Sequence, residues 1–323
     1  MNRVKPIKFL IMMSLCLAGL ILASVFIGPA RIPMNDIFEE RFFDILKLRI
    51  LRTILAVAAG AGLSLSGVAL QAILRNPLAE PYILGVSSGA GLGAVMGLLL
   101  LPISGAVSVI AFIGGLITIM VVYLLARVDK RILPENLIIA GILVNALFSG
   151  LLMFFVSNSS SAKIHSVIWW LLGNLQVYSP GQVLIAGAVV SAGSFVVFIL
   201  SKELNAISLG EEEALHLGVD IEKIKAALIL AVTLITSVIV SMCGIIGFVG
   251  LMVPHIARRL VGPDHRILVP ASILTGGVFI LSCDIFARTI MAPRELPVGV
   301  ITTLLGVPFF IYVLKKSGKA YFK

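Results

Sequence analysis

Charged residues are scarce in this chain: Asp, Glu, Lys and Arg make up only 13% of its 323 residues, whereas soluble domains contain about a quarter. Hydrophobic residues make up 59%, and the mean hydropathy is +1.11. No stretch is polar enough to form a soluble domain, which excludes most soluble enzymes and binding modules. The composition therefore predicts one membrane domain over residues 1–323.

Motifs for catalysis, nucleotide binding and metal binding are also lacking. The three cysteines, Cys16, Cys243 and Cys283, lie in or beside apolar runs without metal-ligand spacing, so we expect buried thiols and no metal site. No G-x-x-x-x-G-K-[ST] loop is present, so ATP would have to be bound by another subunit. H-E-x-x-H is absent, and no G-x-S-x-G has a plausible His partner. We therefore expect neither an enzyme nor a cofactor bound by this chain.

Apolar runs of membrane-spanning length make up most of what is present. A hydrocarbon core of about 30 Å requires about 20 helical residues, and ten runs meet or approach that length. Phe9–Ala30 follows three basic residues as a signal peptide does, but it lacks a convincing cleavage site, so we interpret it as a retained helix. The runs predict an all-α, polytopic fold with the spans Phe9–Ala30, Thr53–Leu74, Ile83–Leu101, Ser104–Ala126, Asn136–Val156, Gln182–Leu200, Ala226–Met242, Gly244–Ala257, Ile267–Ala287 and Val298–Leu314.

One further apolar segment, Ile164–Leu175, is too short to cross a bilayer. It contains the adjacent indoles Trp169 and Trp170, and indole side chains concentrate at membrane–water interfaces. We predict a helix lying at the interface there.

The distribution of Lys and Arg predicts the orientation. With the N-terminus inside, the inner segments contain 17 of these residues and the outer segments contain 8. Positive residues collect in cytoplasmic loops, so both termini are predicted to be cytoplasmic. The same rule accounts for the net charge of +9 without a nucleic-acid partner.

Three segments carry patterns beyond generic helix packing. Residues 75–91 (RNPLAEPYILGVSSGAG) form a Pro-punctuated turn followed by a Gly- and Ser-rich helix start. Residues 209–219 (LGEEEALHLGV) predict a short acidic amphipathic helix that ends at a glycine. Residues 247–266 contain GFVGLMVPHIARR and GPDHR, and ELPVG follows at 295–299.

Together these segments resemble the permease family of binding-protein-dependent ABC importers for iron-siderophores, haem and cobalamin, from about Arg49 to Leu314. The resemblance implies the type II ABC importer fold in a bacterial or archaeal cytoplasmic membrane. It also implies four kinds of partner: a second copy of this chain, two ATP-binding-cassette subunits, an extracytoplasmic binding protein and the lipid bilayer. An iron-siderophore is the first expected cargo, followed by a corrinoid and haem.

The resemblance assigns roles to particular positions. A cytoplasmic loop at about residues 204–222 is implied to couple the permease to the ATPase. Glu213 stands where the family's motif has an alanine; the coupling residues would be Leu209, Glu212, Glu213, Ala214 and Gly218. The cytoplasmic gate would comprise Asn76, Leu78, Pro134 and Glu135.

In the family, an outward-facing pair of arginines meets glutamates of the binding protein, and Arg49 and Arg52 match that pair. Arg294 lies in the last predicted outer loop, where it could join them. The alternative for Arg49 and Arg52 is anchoring at lipid headgroups. Arg49 and Arg52 precede the second predicted span, three residues apart.

Two charges lie inside the ninth predicted span. Asp284 and Arg288 are four residues apart, the spacing at which side chains meet on a helix. We interpret them as a structural ion pair, although ionisable groups in a membrane are functional candidates by default. The rival function is a proton-coupled secondary transporter, which favours paired carboxylates at the membrane midplane. Asp284 alone is a weak basis for that alternative.

Overall fold

The computed structural model describes residues 5–29, 40–100, 105–129, 131–176 and 179–317. The helices of these residues are α1 Pro6–Phe26, α2 Glu40–Ile73, α3 Val86–Leu100, α4 Ala106–Ala126, α5 Pro134–Ser157, α6 Ser161–Leu171, α7 Pro180–Ile199, α8 Ser201–Leu209, α9 Glu211–His216, α10 Ile221–Cys243, α11 Val249–Val261, α12 His265–Thr289 and α13 Val298–Ser317. A 3₁₀ turn spans Pro81–Leu84, and an antiparallel hairpin pairs β1 (Arg127–Val128) with β2 (Arg131–Ile132). The predicted all-α membrane fold is confirmed, and the hairpin was not predicted.

Eight of the described helices are long and apolar enough to cross a membrane, whereas α3 has 15 residues and α11 has 13. α3 starts late because Pro81–Leu84 forms the 3₁₀ turn and Gly85 takes a left-handed φ of 78°. A continuous eighth span from Gly244 is a wrong prediction, because Gly244 and Phe248 have φ values of 69° and 67°. Three predicted span boundaries, Ala30, Leu101 and Ser104, lie outside the described residues.

α2, α10 and α12 form the centre of the bundle. In their most apolar windows 89%, 72% and 56% of the residues are buried, against 11% in α1 and 28% in α5. Glycines let α2 approach its neighbours: a Cβ added to Gly60 would overlap the carbonyl of Gly276 in α12, and one added to Gly67 would overlap that of Gly250 in α11. In lipid, close backbone approach of this kind supplies the packing contacts that hold helices together.

The connections alternate between two ends of the bundle. We call one the α9 end: it contains residues 74–85, the hairpin, α8 and α9. We call the other the α6 end: it contains α6 and residues 290–297. The last turns of α1 and α12 meet, since Arg288 donates to Ser24 Oγ at 2.9 Å, and α13 begins beside Leu172 at the α6 end. The start of α1 and the end of α13 therefore both lie at the α9 end.

Candidate functional site

α9 lies at the surface of the α9 end. Ala214 is fully buried and packs against apolar residues of α8 and of the first turn of α10, so it anchors the short helix. Leu215 and Leu217 are 60% and 67% exposed, and Glu212 and Glu213 are also exposed. The helix and the leucine that caps it therefore present two large apolar side chains and two carboxylates away from the rest of the chain.

Gly218 closes α9 in a Schellman motif. Its N–H donates to the Leu215 carbonyl at 2.9 Å, and the Val219 N–H donates to the Ala214 carbonyl at 3.0 Å. Gly218 has a left-handed φ of 78°, and an added Cβ there would meet no atom within 4 Å. A side chain at this position is therefore opposed by backbone strain and not by a clash.

Leu209 lies outside α9, which corrects the predicted continuous helix from Leu209 to Gly218. It ends α8, and Gly210 separates the two helices. A Cβ on Gly210 would meet only the flexible end of the Glu213 side chain, so it is the φ of 154° at this position that favours glycine. Leu209 is 74% exposed, so it is accessible at the α9 end although it belongs to another helix.

A buried lysine connects α9 to the hairpin. Lys225, near the start of α10, has no exposed surface. Its Nζ donates to Glu211 Oε1 of α9 and to the Ile132 carbonyl of β2, both at 2.8 Å. Glu222 accepts from the Ile132 N–H at 2.9 Å and lies 3.8 Å from the ammonium group. This cluster was not predicted, although Glu222 and Lys225 have the i, i+3 spacing of a helix pair.

The four residues assigned to the gate lie on two connectors at the α9 end. Asn76 Oδ1 accepts from the Leu78 N–H at 2.9 Å, which fixes the turn and leaves Leu78 48% exposed. Pro134 is the buried first residue of α5, and Glu135 is exposed beside it. The structure thus places all four residues at one end of the bundle.

Helix α5 meets the connector of residues 74–85 at a glycine for which no role was predicted. A Cβ added to Gly141 of α5 would overlap the carbonyl of Ile83 in the 3₁₀ turn. No bulkier residue fits without moving α5 away from the turn. α5 is therefore in backbone contact, about two turns from its start, with the segment that leads into α3.

The break before α11 is held by the same segment. The Tyr82 hydroxyl donates to the Ile246 carbonyl and accepts from the Ile246 N–H, each at 3.1 Å. The Phe248 N–H donates to the Glu80 carboxylate, and burial raises the pKa of the Glu80 carboxyl to about 7. Non-helical backbone in a membrane protein needs such internal partners, because lipid supplies none.

Charges at the α6 end join three helices. Asp284 of α12 is fully buried and lies 3.0 Å from Arg288 Nε and 2.9 Å from Arg52 Nη2 of α2. Arg52 also binds Glu295 Oε2 at 2.6 Å. Arg288 reaches α1 by donating to Ser24 Oγ at 2.9 Å. The predicted pair of Asp284 and Arg288 is thus present within a larger cluster, and Arg52 belongs to it.

Arg49 has a different environment from the one its docking prediction requires. It lies within α2 and not before a span, and it is only 6% exposed. Its Nη1 donates to the carbonyls of Val25 and Phe26 at 3.1 and 3.0 Å, at the end of α1. The side chain therefore satisfies carbonyls that a helix end leaves without partners.

Arg294 is exposed at the α6 end and lines a cavity of about 450 Å³ together with Arg52 and Trp169. A second cavity of about 530 Å³ shares Trp169 with the first and reaches His165 and Ser241. Within the described residues, no three His, Cys, Asp or Glu side chains are grouped to hold a metal ion. The α6 end therefore offers mostly apolar, aromatic-lined space beside an exposed arginine.

Comparison with known structures defines the class of this protein. It shares its fold with a solved inward-facing ABC transporter classed as metal-chelate type, with a TM-score of 0.87 and 31% identity over 97% of this chain and 100% of that one. The protein is therefore a membrane permease of the ABC importer class, and the predicted type II fold is confirmed.

The chain belongs to the FecCD transport family, whose profile matches residues 15–316. The cobalamin import system permease protein BtuC of Halobacterium salinarum is 42% identical over 83% of this chain and 72% of its own length. The hemin transport system permease protein HmuU of Yersinia pestis is 34% identical over 98% of each chain. The family resemblance seen in the three sequence motifs is confirmed.

Proposed function

We propose that this chain is the membrane-spanning subunit of a binding-protein-dependent importer that carries a metal chelate into a bacterial or archaeal cell. The α9 end faces the cytoplasm and the α6 end faces outside in this proposal. Two copies enclose the path, and two ATP-binding-cassette subunits supply the energy. Relatives named for cobalamin and hemin import support the chelate class, and an iron-siderophore remains the first expected cargo.

The exposed helix α9 carries this proposal. A surface helix that exposes Leu215 and Leu217 by 60% and 67% favours a partner, because exposed apolar groups are stabilised when a second protein covers them. Its burial of Ala214 ties it to α8 and α10, so a force on α9 reaches the membrane helices. These are the properties that an ATPase-coupling element needs.

The gate and docking assignments extend the proposal to both ends. We assign the gate to Asn76, Leu78, Pro134 and Glu135, supported by the contact of α5 with the 3₁₀ turn. Of the three residues predicted to dock the binding protein, Arg49 is 6% exposed, the Arg52 side chain is 16% exposed and Arg294 is exposed. We place the first contact of the binding protein at Arg294, because its side chain is exposed.

Gly218→Val tests the coupling role. A β-branched residue is strained at a φ of 78°. The Schellman motif should therefore open, and α9 should lose its packing against α8 and α10. We expect normal insertion, loss of chelate uptake, and ATP hydrolysis that is lost or uncoupled, measured in proteoliposomes with the ATPase and binding protein. Gly218→Asn is the matched control, since Asn tolerates the left-handed region.

Normal uptake by Gly218→Val at normal expression would show that α9 is not the coupling element. Uptake that follows an imposed proton gradient without ATP would instead favour the secondary transporter. The cargo is tested separately, by titrating the partner binding protein with an iron-siderophore, a corrinoid, haem and molybdate.

A further inference from the structure

We infer that Lys225 is a positioning residue that makes the hairpin, and with it the start of α5, follow the displacement of α9. The inference rests on the proposed function, in which the ATPase moves α9. It concerns a residue to which neither the sequence motifs nor the family resemblance assigns a role.

The ammonium group of Lys225 lies where α9, β2 and α10 meet. Lys225 lies between three elements: Glu211 of α9 at 2.8 Å, the Ile132 carbonyl of β2 at 2.8 Å and Glu222 of its own helix at 3.8 Å. Within the described residues, no other side chain forms hydrogen bonds to both α9 and the hairpin. A single group therefore bridges the coupling helix and the connector that leads to α5.

Lys225 and its two carboxylate partners differ in exposure. The Lys225 side chain is 0% exposed, whereas the side chains of Glu211 and Glu222 are 29% and 34% exposed. Water can solvate either carboxylate if the contact opens, but it cannot reach the ammonium group in this arrangement. Leaving a buried charge without its partner is strongly unfavourable, so the ammonium group favours movements that keep α9 and β2 together.

Ile132 of the hairpin connects the start of α10 to the start of α5. Ile132 uses both backbone polar groups on the start of α10: its N–H donates to Glu222 and its carbonyl accepts from Lys225. It is 2% exposed and stands two residues before Pro134, the first residue of α5. A shift of β2 is thus transferred directly to the part of α5 that carries the proposed gate residues.

Lys225→Met tests the inference, because methionine keeps an unbranched apolar stem and removes the ammonium group. In proteoliposomes with ATPase and binding protein, we expect ATP hydrolysis to persist and chelate transported per ATP to fall at least about fivefold. Lys225→Arg should restore part of that ratio. Lys223→Met is the matched control: its side chain is 84% exposed and pairs with Asp220, and the substitution should leave the ratio unchanged.

Spin labels separate transmission from simple loss of stability. His216→Cys labels α9 and Arg131→Cys labels β2, each at an exposed position; Cys16 is replaced because it is exposed, whereas the other two cysteines are buried. Each label reports one distance between the two copies in the assembled importer. ATP should change both distances in the parent. In Lys225→Met it should change the α9 distance and leave the β2 distance near its ATP-free value.

An ATP-dependent β2 distance in Lys225→Met equal to that of the parent would overturn the inference. If Lys225→Met does not assemble, Glu211→Ala replaces it; that variant removes the acceptor on α9, so an unchanged β2 response there would also overturn the inference. If Lys225→Met transports normally and Gly218→Val does not, only the proposed role of Lys225 between α9 and the hairpin is rejected. Normal transport by Gly218→Val as well rejects the proposed coupling role of α9.

Discussion

Both ends of the bundle bury charges, but the side chains that pair with those charges differ in how exposed they are. At the α6 end, Asp284 and Arg288 have side-chain exposures of 0% and 2% and join α12 to α1 and α2. At the α9 end, Lys225 is equally buried, yet its carboxylate partners are 29% and 34% exposed. The first cluster joins long helices, and the second joins a six-residue helix to a two-residue strand.

This difference has a physical consequence for movement. Separating α2 from α12 leaves the buried Asp284 carboxylate without water, and separating α1 from α12 leaves the buried Arg288 without its Ser24 partner, so the three helices are held together. Opening the α9-end cluster leaves only the lysine unsolvated, and its partners Glu211 and Ile132 lie on short elements. We conclude that the α6 end acts as a fixed support and the α9 end as the responsive one.

Asp284→Ala should break the fixed support and have the largest effect. It leaves Arg288 and Arg52 without their shared carboxylate, and breaking a buried pair from one side lowers the free energy of unfolding by about 3–5 kcal/mol. Thermal unfolding of the purified protein in detergent measures the loss. Glu295→Ala is the control, because its partly exposed side chain (34%) should contribute no more than about 1 kcal/mol. Equal effects of the two substitutions would contradict a support centred on Asp284.

Glu80→Gln should sharpen the comparison by changing pH dependence at the α9 end. Burial raises the pKa of the Glu80 carboxyl from 4.5 to about 7, so between those values the folded protein keeps a proton that the unfolded chain releases. The free energy of unfolding should therefore fall as pH rises through this window and level off above about 7. Gln carries no titratable group and keeps an acceptor for the Phe248 N–H.

The measurement is the melting temperature of the parent and of Glu80→Gln between pH 5 and pH 8. We expect the parent to lose more stability with rising pH than the variant, by on the order of a few degrees. Parallel curves would show that Glu80 ionises as easily in the folded protein as in the unfolded chain.

Arg294→Glu should have the smallest effect and act on kinetics alone. Exposed charges mainly steer encounters, and their effect weakens with salt. We expect unchanged melting and unchanged basal ATP hydrolysis, with severalfold weaker stimulation by the loaded binding protein at low salt. Arg49→Met is the matched control: it should lower the melting temperature by releasing the end of α1 and leave stimulation intact. If Arg49→Met keeps the parental melting temperature but loses the stimulation of ATP hydrolysis by the binding protein, Arg49 is a docking residue after all.

Local patterns predicted the features that depend on short stretches of chain. Apolar runs gave the membrane-spanning helices, and the Gly at position 218 marked the end of α9, because a left-handed residue is needed there. The i, i+4 spacing of Asp284 and Arg288 indicated their pairing. The breaks at residues 81–85 and 244–248 escaped prediction, since apolar composition does not distinguish a helix from buried irregular backbone whose hydrogen bonds come from Glu80 and Tyr82.

The sequence by itself determined the class of this protein: its apolar composition leaves only a membrane fold, and its three motifs lead to the FecCD family. Only the tertiary structure decided which charges are buried and what they join. Arg49 and Arg52 look alike in sequence, yet one binds helix carbonyls and the other binds Asp284, from a helix 232 residues away in the chain. Burial and pairing depend on which helices become neighbours, and that information is spread over the whole bundle.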